Sequence, residues 1–287
     1  MRARLTLLIP AAALAAALAA CGGGGQDRAG FAADADGACA AGNTIISTTA
    51  KPSNAPQVAA AASTAVSTID AQVVALRAIK TPGGKDKDGA VGVVAAIDAV
   101  SAPARALMDA GGGNDDAAMT RAALDMQAKA DAAHDAAEAF GMAQCGVQLK
   151  FGLGNMFDGV RQVVKATYVT KAEGLCRNAL GRYAAISPPG ASQASFARFL
   201  EAVNGVSTKL ATDLRAIPAP PGDEATITAM MGAVDGINAK AKEAVAAVRA
   251  DNERLFLALT DELLVAQTAA NAKLDAYGLT SCGSAAG

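Results

Sequence analysis

The stretch FGMAQCG at 140–146 returns near the end of the chain as YGLTSCG at 277–283. The two stretches lie 137 positions apart (282 − 145), and the same interval separates Cys39 from Cys176. In each stretch an aromatic residue and a glycine stand shortly before a Cys-Gly pair. The chain therefore repeats both the cysteines and the residues around them, which indicates two copies of one unit.

Two internal segments support a tandem duplication. VVAAIDAVSAPAR matches MMGAVDGINAKAK at the interval of 137, which places Asp98 on Asp235. LRAIKTPGG matches LRAIPAPPG at an interval of 138, a slip of one residue that is recovered before Asp98. Phe31 also falls on Tyr168. The matched cysteines and segments together predict one repeat over 31–146 and a second over 168–283.

Four of the five cysteines lie within these repeats, and four cysteines allow three pairings. The duplication favours the pairing that closes each repeat on itself, Cys39 with Cys145 and Cys176 with Cys282. In the chain-entropy model, closing a loop of that length contributes about 4.7 kcal/mol. Four buried free thiols are the alternative.

The composition predicts a helical protein with an Ala-rich core. Of the 287 residues 52% are hydrophobic but only 3% are aromatic, and alanine is the best helix former. Alanine buries little area, so we expect the disulfides to compensate for weak packing. The net charge of −2 argues against nucleic acid as a partner.

Each repeat is predicted to contain four amphipathic helices. In the second repeat the capping-box pattern from Thr170 to Glu173 opens a helix over about 170–187. Three further helices follow with apolar residues three and four positions apart, and the last ends before Gly278. The predicted fold is all-α: two tandem up-down-up-down four-helix bundles, each closed by one disulfide.

The first repeat is expected to be the less stable of the two. Ala122 and Ala137 stand where the second repeat has Leu259 and Leu274, so its core should be leaner. Between the repeats, 147–167 is too apolar for a free linker and could form a short connecting helix.

The first residues have the features of an export signal. Arg2 and Arg4 precede an uncharged apolar stretch that is too short to span a bilayer. The following Leu18-Ala19-Ala20-Cys21 resembles the lipobox of bacterial lipoproteins. That resemblance implies cleavage before Cys21, acylation of its sulfur and attachment to a membrane; ordinary secretory cleavage at the neighbouring Ala-x-Ala sites is the alternative.

The predicted organisation is a signal peptide (1–20), a Gly-rich tether (21–30), the first repeat (31–146), a connecting segment (147–167), the second repeat (168–283) and a tail (284–287).

Few residues suggest a catalytic, metal-binding or ligand-binding site. His134, the single histidine, could share a helix face with Asp131 and Glu138, but no second histidine or spare thiol completes a zinc site. We therefore favour a polar helix face and predict no metal, no cofactor and no catalytic residue. Asp98 and Asp235 lie at matching positions in apolar stretches. They could contact a ligand or partner, be solvated, or be retained from the duplication without a role.

These features favour a non-enzymatic protein of the cell envelope, anchored by lipid on the extracytoplasmic side, that binds an envelope protein or acts as a scaffold. The chain also resembles Ala-rich exported proteins of high-GC bacteria that end in Tyr-Gly-Leu-x-x-Cys-Gly, a resemblance that implies no particular activity. The alternative is a ligand-binding receptor or sensor subunit. That alternative predicts a pocket within or between the bundles.

Overall fold

The computed structural model of the chain describes residues 26–146 and 152–284, and within these ranges it is helical and has no strand. The predicted signal peptide, the first half of the tether with Cys21, residues 147–151 and the last three residues lie outside the described residues. In and around the first repeat the helices are α1 (Arg28–Ser47), α2 (Ala55–Ala78), α3 (Lys87–Asp98), α4 (Ser101–Gly113) and α5 (Asp116–Phe140). Those that follow are α6 (Gly154–Ala184), α7 (Gln193–Arg215), α8 (Glu224–Arg249) and α9 (Glu253–Tyr277).

Local sequence signals account for several helix ends. The side chain of Asn54 accepts a hydrogen bond from the backbone N–H of Gln57 at 3.0 Å and caps α2. Asn252 caps α9 in the same way. Gly141 and Gly278 end α5 and α9 with φ of 91° and 100°, a left-handed conformation that favours glycine. The predicted glycine cap of the last helix is therefore confirmed.

The cysteines pair as the duplication predicts. Cys39 lies at disulfide distance from Cys145, and Cys176 lies at disulfide distance from Cys282. The Cα atoms are 5.1 Å apart in both pairs, a normal separation for a disulfide. Each pair joins the first helix of a repeat to the turn after its last helix.

An aromatic pair closes the same end of each repeat. Phe31 and Phe140 meet edge to face with ring centroids 5.7 Å apart, and Tyr168 and Tyr277 do so at 5.9 Å. A cation covers one ring of each pair. The Arg28 guanidinium lies 4.9 Å from the ring centroid of Phe140. Lys165 is the counterpart of Arg28 in the second repeat, and its ammonium lies 4.3 Å from the ring centroid of Tyr277. The second repeat thus reproduces the interactions of the first with different residues.

The first repeat has one continuous hydrophobic core. In this core α2 packs against α1, α3 and α4, while α5 packs against α3 and α4. Two stretches, Ala55–Ala78 and Gly84–Gly113, are long and apolar enough to cross a membrane by length and composition. Both contribute side chains to this core, and the second stretch is broken between α3 and α4. We interpret both as core elements of a folded domain.

A single long helix connects the repeats. Near the start of α6, Met156, Phe157 and Val160 are buried in the core of the first repeat, whereas Tyr168 belongs to the core of the second. The predicted helix start at Thr170 is wrong, because its hydroxyl donates to the Ala166 carbonyl at 2.9 Å inside a continuous helix. The predicted connecting segment, 147–167, is therefore largely the first half of α6. The first helix begins at Arg28, three residues before the predicted start of the first repeat at 31.

The third helix differs between the repeats. In the second repeat it is the continuous α8, whereas in the first it is broken between Asp98 and Ser101 into α3 and α4. Pro103 lies in the first turn of α4, at the position that corresponds to Lys240 of α8. Proline has no backbone N–H and is tolerated in the first turn of a helix but not in its interior, which explains the break.

The core of the second repeat is divided. One buried cluster surrounds Tyr168, Leu274 and Tyr277, and a separate small cluster contains Ala244 and Leu259. The expectation of a leaner first core is therefore wrong. The first repeat gains buried side chains from α6, while the second has unfilled space between its helices.

Candidate binding cavity in the second repeat

The second repeat contains a cavity of about 480 Å³ that is partly open to solvent. All four helices α6–α9 line it, mainly with aliphatic and aromatic side chains that include Leu180, Leu200, Ile237 and Phe256. Cys176 and its partner also contribute to its wall. A cavity of this volume is within the usual range of small-molecule sites, and the sequence alone did not locate it.

Two substitutions between the repeats explain why the cavity exists. At the interval of 138, Ser207 on α7 stands where the first repeat has Ile69. At the interval of 137, Ala244 on α8 stands where the first repeat has Leu107. Ile69 and Leu107 are both 0% exposed and fill the first core, whereas Ser207 and Ala244 line the cavity. Aligning the core positions of the two repeats could have revealed this difference.

The cavity wall carries polar but uncharged side chains. These are Tyr183, Asn204, Ser207, Asn238, Thr260, Gln267, Asn271 and Ser281. No Asp, Glu, Lys, Arg or His lines the cavity among the described residues. Burial raises the pKa of Tyr183, and a hydrogen bond with Ser207 opposes that rise. The tyrosine therefore stays neutral at ordinary pH, and the cavity carries no ionised group.

Two of these polar side chains have an amide oxygen without a partner in the described part of the chain. Asn204 is 9% exposed and Asn238 is 6% exposed, so both amides are largely withdrawn from water. The Oδ1 atom of each is buried and has no hydrogen-bond partner within 26–146 and 152–284. An unsatisfied buried acceptor costs free energy. Both residues line the cavity, and a bound molecule or water that reached either oxygen would satisfy it.

The predicted contact residues Asp98 and Asp235 both form ion pairs at the surface. Asp98 lies 2.8 Å from a terminal nitrogen of Arg77, and Asp235 pairs with Arg215 at the matching position. Asp235 does not line the cavity, although the neighbouring Val234 does. The structure thus gives each aspartate an arginine partner, and a ligand or partner contact at these residues stays a prediction.

His134 lies on α5, outside the cavity. Its Nε2 is 3.8 Å from a carboxylate oxygen of Glu138, one turn further along the helix. Across the described ranges, no three His, Cys, Asp or Glu side chains are grouped so that they could hold a metal ion. The His134 side chain is 14% exposed and that of Glu138 is 76% exposed.

Asp223 contacts one phenol and one ammonium group near the disulfide end of the second repeat. Tyr277 donates its hydroxyl to Asp223 at 2.6 Å, and the Lys165 ammonium lies 3.2 Å from the same carboxylate. Burial, followed by the negative charge of Asp223, raises the pKa of Tyr277 well above its usual value. Such a phenol is a poor acid, so this cluster serves to hold α6, α9 and the start of α8 together.

Comparison with known proteins supplies no relative. No protein-family model, curated protein or solved structure matches the chain.

Proposed function

We propose that this chain is an exported, lipid-anchored binding protein that holds a small, mainly apolar molecule inside its second repeat. The observation that carries the proposal is the cavity of about 480 Å³ between α6, α7, α8 and α9. Half-buried apolar side chains such as Leu200, Ile237 and Phe256 line it and meet solvent, so a bound apolar molecule would remove apolar surface from water. This function corresponds to the ligand-binding alternative from the sequence.

The proposed architecture is two four-helix bundles that share α6. The contacts support it: α2 packs against α1 and α4 and α5 packs against α4 in the first repeat, while α8 packs against α7 and α9 in the second. Short connections join successive helices in both repeats, as expected for up-down-up-down bundles. In this arrangement the first bundle, with its filled core, supports the second bundle, which binds the small molecule.

The proposed location is the extracytoplasmic side of the cell envelope. The lipobox-like Leu18-Ala19-Ala20-Cys21 and the two cysteine pairs at disulfide distance support it, because disulfides persist in oxidising compartments. With two or more acyl chains on Cys21, anchoring would be stable. The binding bundle would then be attached to the membrane through the first bundle.

The proposal is tested by titrating the purified chain with Nile red, an uncharged apolar dye that fluoresces in apolar surroundings. The wild type should bind the dye saturably. The variant Ser207→Ile/Ala244→Leu, which carries the residues of the first repeat, should bind about tenfold more weakly or not at all, because its side chains fill the cavity.

The matched control is Ala229→Leu, the same substitution at an exposed position of α8 outside the cavity. It should bind the dye as the wild type does. Equal binding by the filled variant and the wild type would contradict the proposal, provided that circular dichroism and thermal melting show that both are folded.

Partner binding is the second candidate function. Leu257, Leu264 and Val265 on α9 are 55%, 66% and 72% exposed, which is unusual for large apolar side chains on one helix. A photo-crosslinker placed at position 264 in cells would distinguish the two roles. A single discrete crosslinked product would favour the partner-binding role, and its absence would leave the cavity as the functional feature.

A further inference from the structure

The two unpartnered amides of the cavity define the chemical class of its ligand, an inference that rests on the proposed function. Asn204 and Asn238 each present a buried Oδ1 atom without a hydrogen-bond partner in the described part of the chain. Both residues line the cavity. A ligand that donates hydrogen bonds to these oxygens would remove the cost of burying them.

The first repeat shows that such acceptors are not required by the fold. At the corresponding positions it has Val66 in place of Asn204 and Ser101 in place of Asn238. The Ser101 hydroxyl is satisfied, because it donates to the Asp70 carboxylate at 2.7 Å. The unsatisfied pair is therefore specific to the repeat that contains the cavity.

The two acceptors lie at different levels along the helices. Arg249 pairs with Glu201, which sets α7 and α8 antiparallel and brings Asn204 to the level of residues 245 and 246. Asn238 is seven to eight residues from that level. At 1.5 Å per residue the two acceptors are about 10 Å apart along the helix axis.

The cavity walls exclude a charged ligand. No Asp, Glu, Lys, Arg or His among the described residues lines the cavity, and a charge transferred into such surroundings without a partner would be strongly disfavoured. The aliphatic wall that α7 contributes, made of Leu200, Val203, Leu210 and Leu214, fits an extended apolar body.

We propose that the cavity binds an uncharged, elongated amphiphile with hydrogen-bond donors, hydroxyl or amide N–H groups, about 10 Å apart. One donor would bind Asn204 and the other Asn238, and the apolar body between them would contact the aliphatic wall. Specificity for the donors would come from the two amides, because a site built to pair polar groups rejects analogues that lack them.

The test compares two probes as competitors of Nile red. Octamethylene glycol carries a hydroxyl at each end of a chain of suitable length, and its dimethyl ether has the same chain without donors. The wild type should bind the glycol about tenfold more tightly than the ether, relative to their partitioning into octanol. Asn204→Leu/Asn238→Leu should lose this preference or reverse it, because leucine keeps the volume and removes the acceptors.

Three outcomes separate the inference from the function on which it rests. A wild type that binds Nile red but treats the glycol and the ether alike would overturn the donor requirement and leave the apolar site intact. The donor requirement would also be overturned if the double leucine variant, shown to be folded by thermal melting, keeps the preference of the wild type for the glycol. Failure of the wild type to bind Nile red or either probe would overturn both proposals.

Discussion

Glu173 on α6 accepts a hydrogen bond from the backbone N–H of Ser281 at 2.9 Å, one residue before the cysteine that pairs with Cys176. Asp36, the matching residue of the first repeat, accepts from the backbone N–H groups of Gln144 and Cys145 at 2.7 and 3.2 Å. In both repeats a carboxylate on the first helix therefore fixes the turn that carries the second cysteine.

Removing this carboxylate should destabilise the turn in either repeat. Glu173→Ala and Asp36→Ala should each lower the free energy of unfolding by about 1.5–3 kcal/mol, the usual contribution of hydrogen bonds to charged groups. Urea denaturation measures the change. The exposed Asp261→Ala serves as the control and should change stability by less than about 0.5 kcal/mol. A loss at Glu173 no larger than at Asp261 would show that the contact is incidental.

Both disulfides should stabilise the chain. Replacing Cys39 and Cys145, or Cys176 and Cys282, with serine should lower the free energy of unfolding by about 2–5 kcal/mol, because each crosslink limits the unfolded chain over a long loop. Denaturation with and without reductant measures the effect. Denaturation midpoints that do not change after reduction would argue against stabilisation by the disulfides.

The first core should be more sensitive to truncation than the second. Leu107→Ala removes a side chain that is 0% exposed and should cost about 2–5 kcal/mol. The opposite change at the corresponding position, Ala244→Leu, adds a side chain to existing space and should cost less than about 1 kcal/mol or be stabilising. Thermal melting of the two variants is the check. A large loss on Ala244→Leu would mean that the space is not available.

Alkaline pH should destabilise the second repeat selectively. The three tyrosines of the chain, Tyr168, Tyr183 and Tyr277, all lie in that repeat, and burial raises the pKa of each above 10.0. The folded state therefore holds these protons more tightly than the unfolded state. This contribution to stability is fully present below pH 10.0 and is lost as the pH rises above it.

Tyr168→Phe tests this pH dependence with a residue that the first repeat uses at the same position. The buried Tyr168 hydroxyl has no partner among the described residues, so its removal should raise stability at neutral pH by up to about 1 kcal/mol and weaken the alkaline loss. Phe31→Tyr should have the opposite effect in the first repeat. Denaturation at two pH values measures both, and an unchanged alkaline loss in Tyr168→Phe would contradict the assignment.

Replacing the lipobox cysteine should release the protein from the membrane. Cys21→Ser removes the sulfur that the lipoprotein resemblance implies is acylated, so the mature chain should move from the membrane fraction to the soluble fraction. Mass measurement of the first peptide checks the wild type. An unmodified first residue, or cleavage elsewhere, would contradict the anchor.

The sequence predicted the features that depend on the duplication or on local signals. The interval of 137 predicted both cysteine pairs, and Gly278 predicted the end of the last helix. It failed at Thr170, because a capping pattern does not start a helix when the preceding residues are themselves helical and buried. It also misjudged the cores by comparing Ala122 and Ala137 with their leucine counterparts while omitting the positions of Ile69 and Leu107.

The cavity could have been inferred only in part from the sequence. The replacement of Leu107 by Ala244 signals lost volume, but whether neighbouring helices close over that volume depends on the packing of the whole repeat. The isolation of the Asn204 and Asn238 acceptors likewise depends on the three-dimensional arrangement of α7 and α8, which no periodicity reveals.

A crystal structure of the full chain grown with Nile red tests the central claim most directly. The account predicts density for the dye between α7, α8 and α9, in contact with Ala244 and Ser207, and a filled, dye-free core in the first repeat. A second repeat whose helices have closed over the cavity, with the dye absent or bound elsewhere, would contradict it.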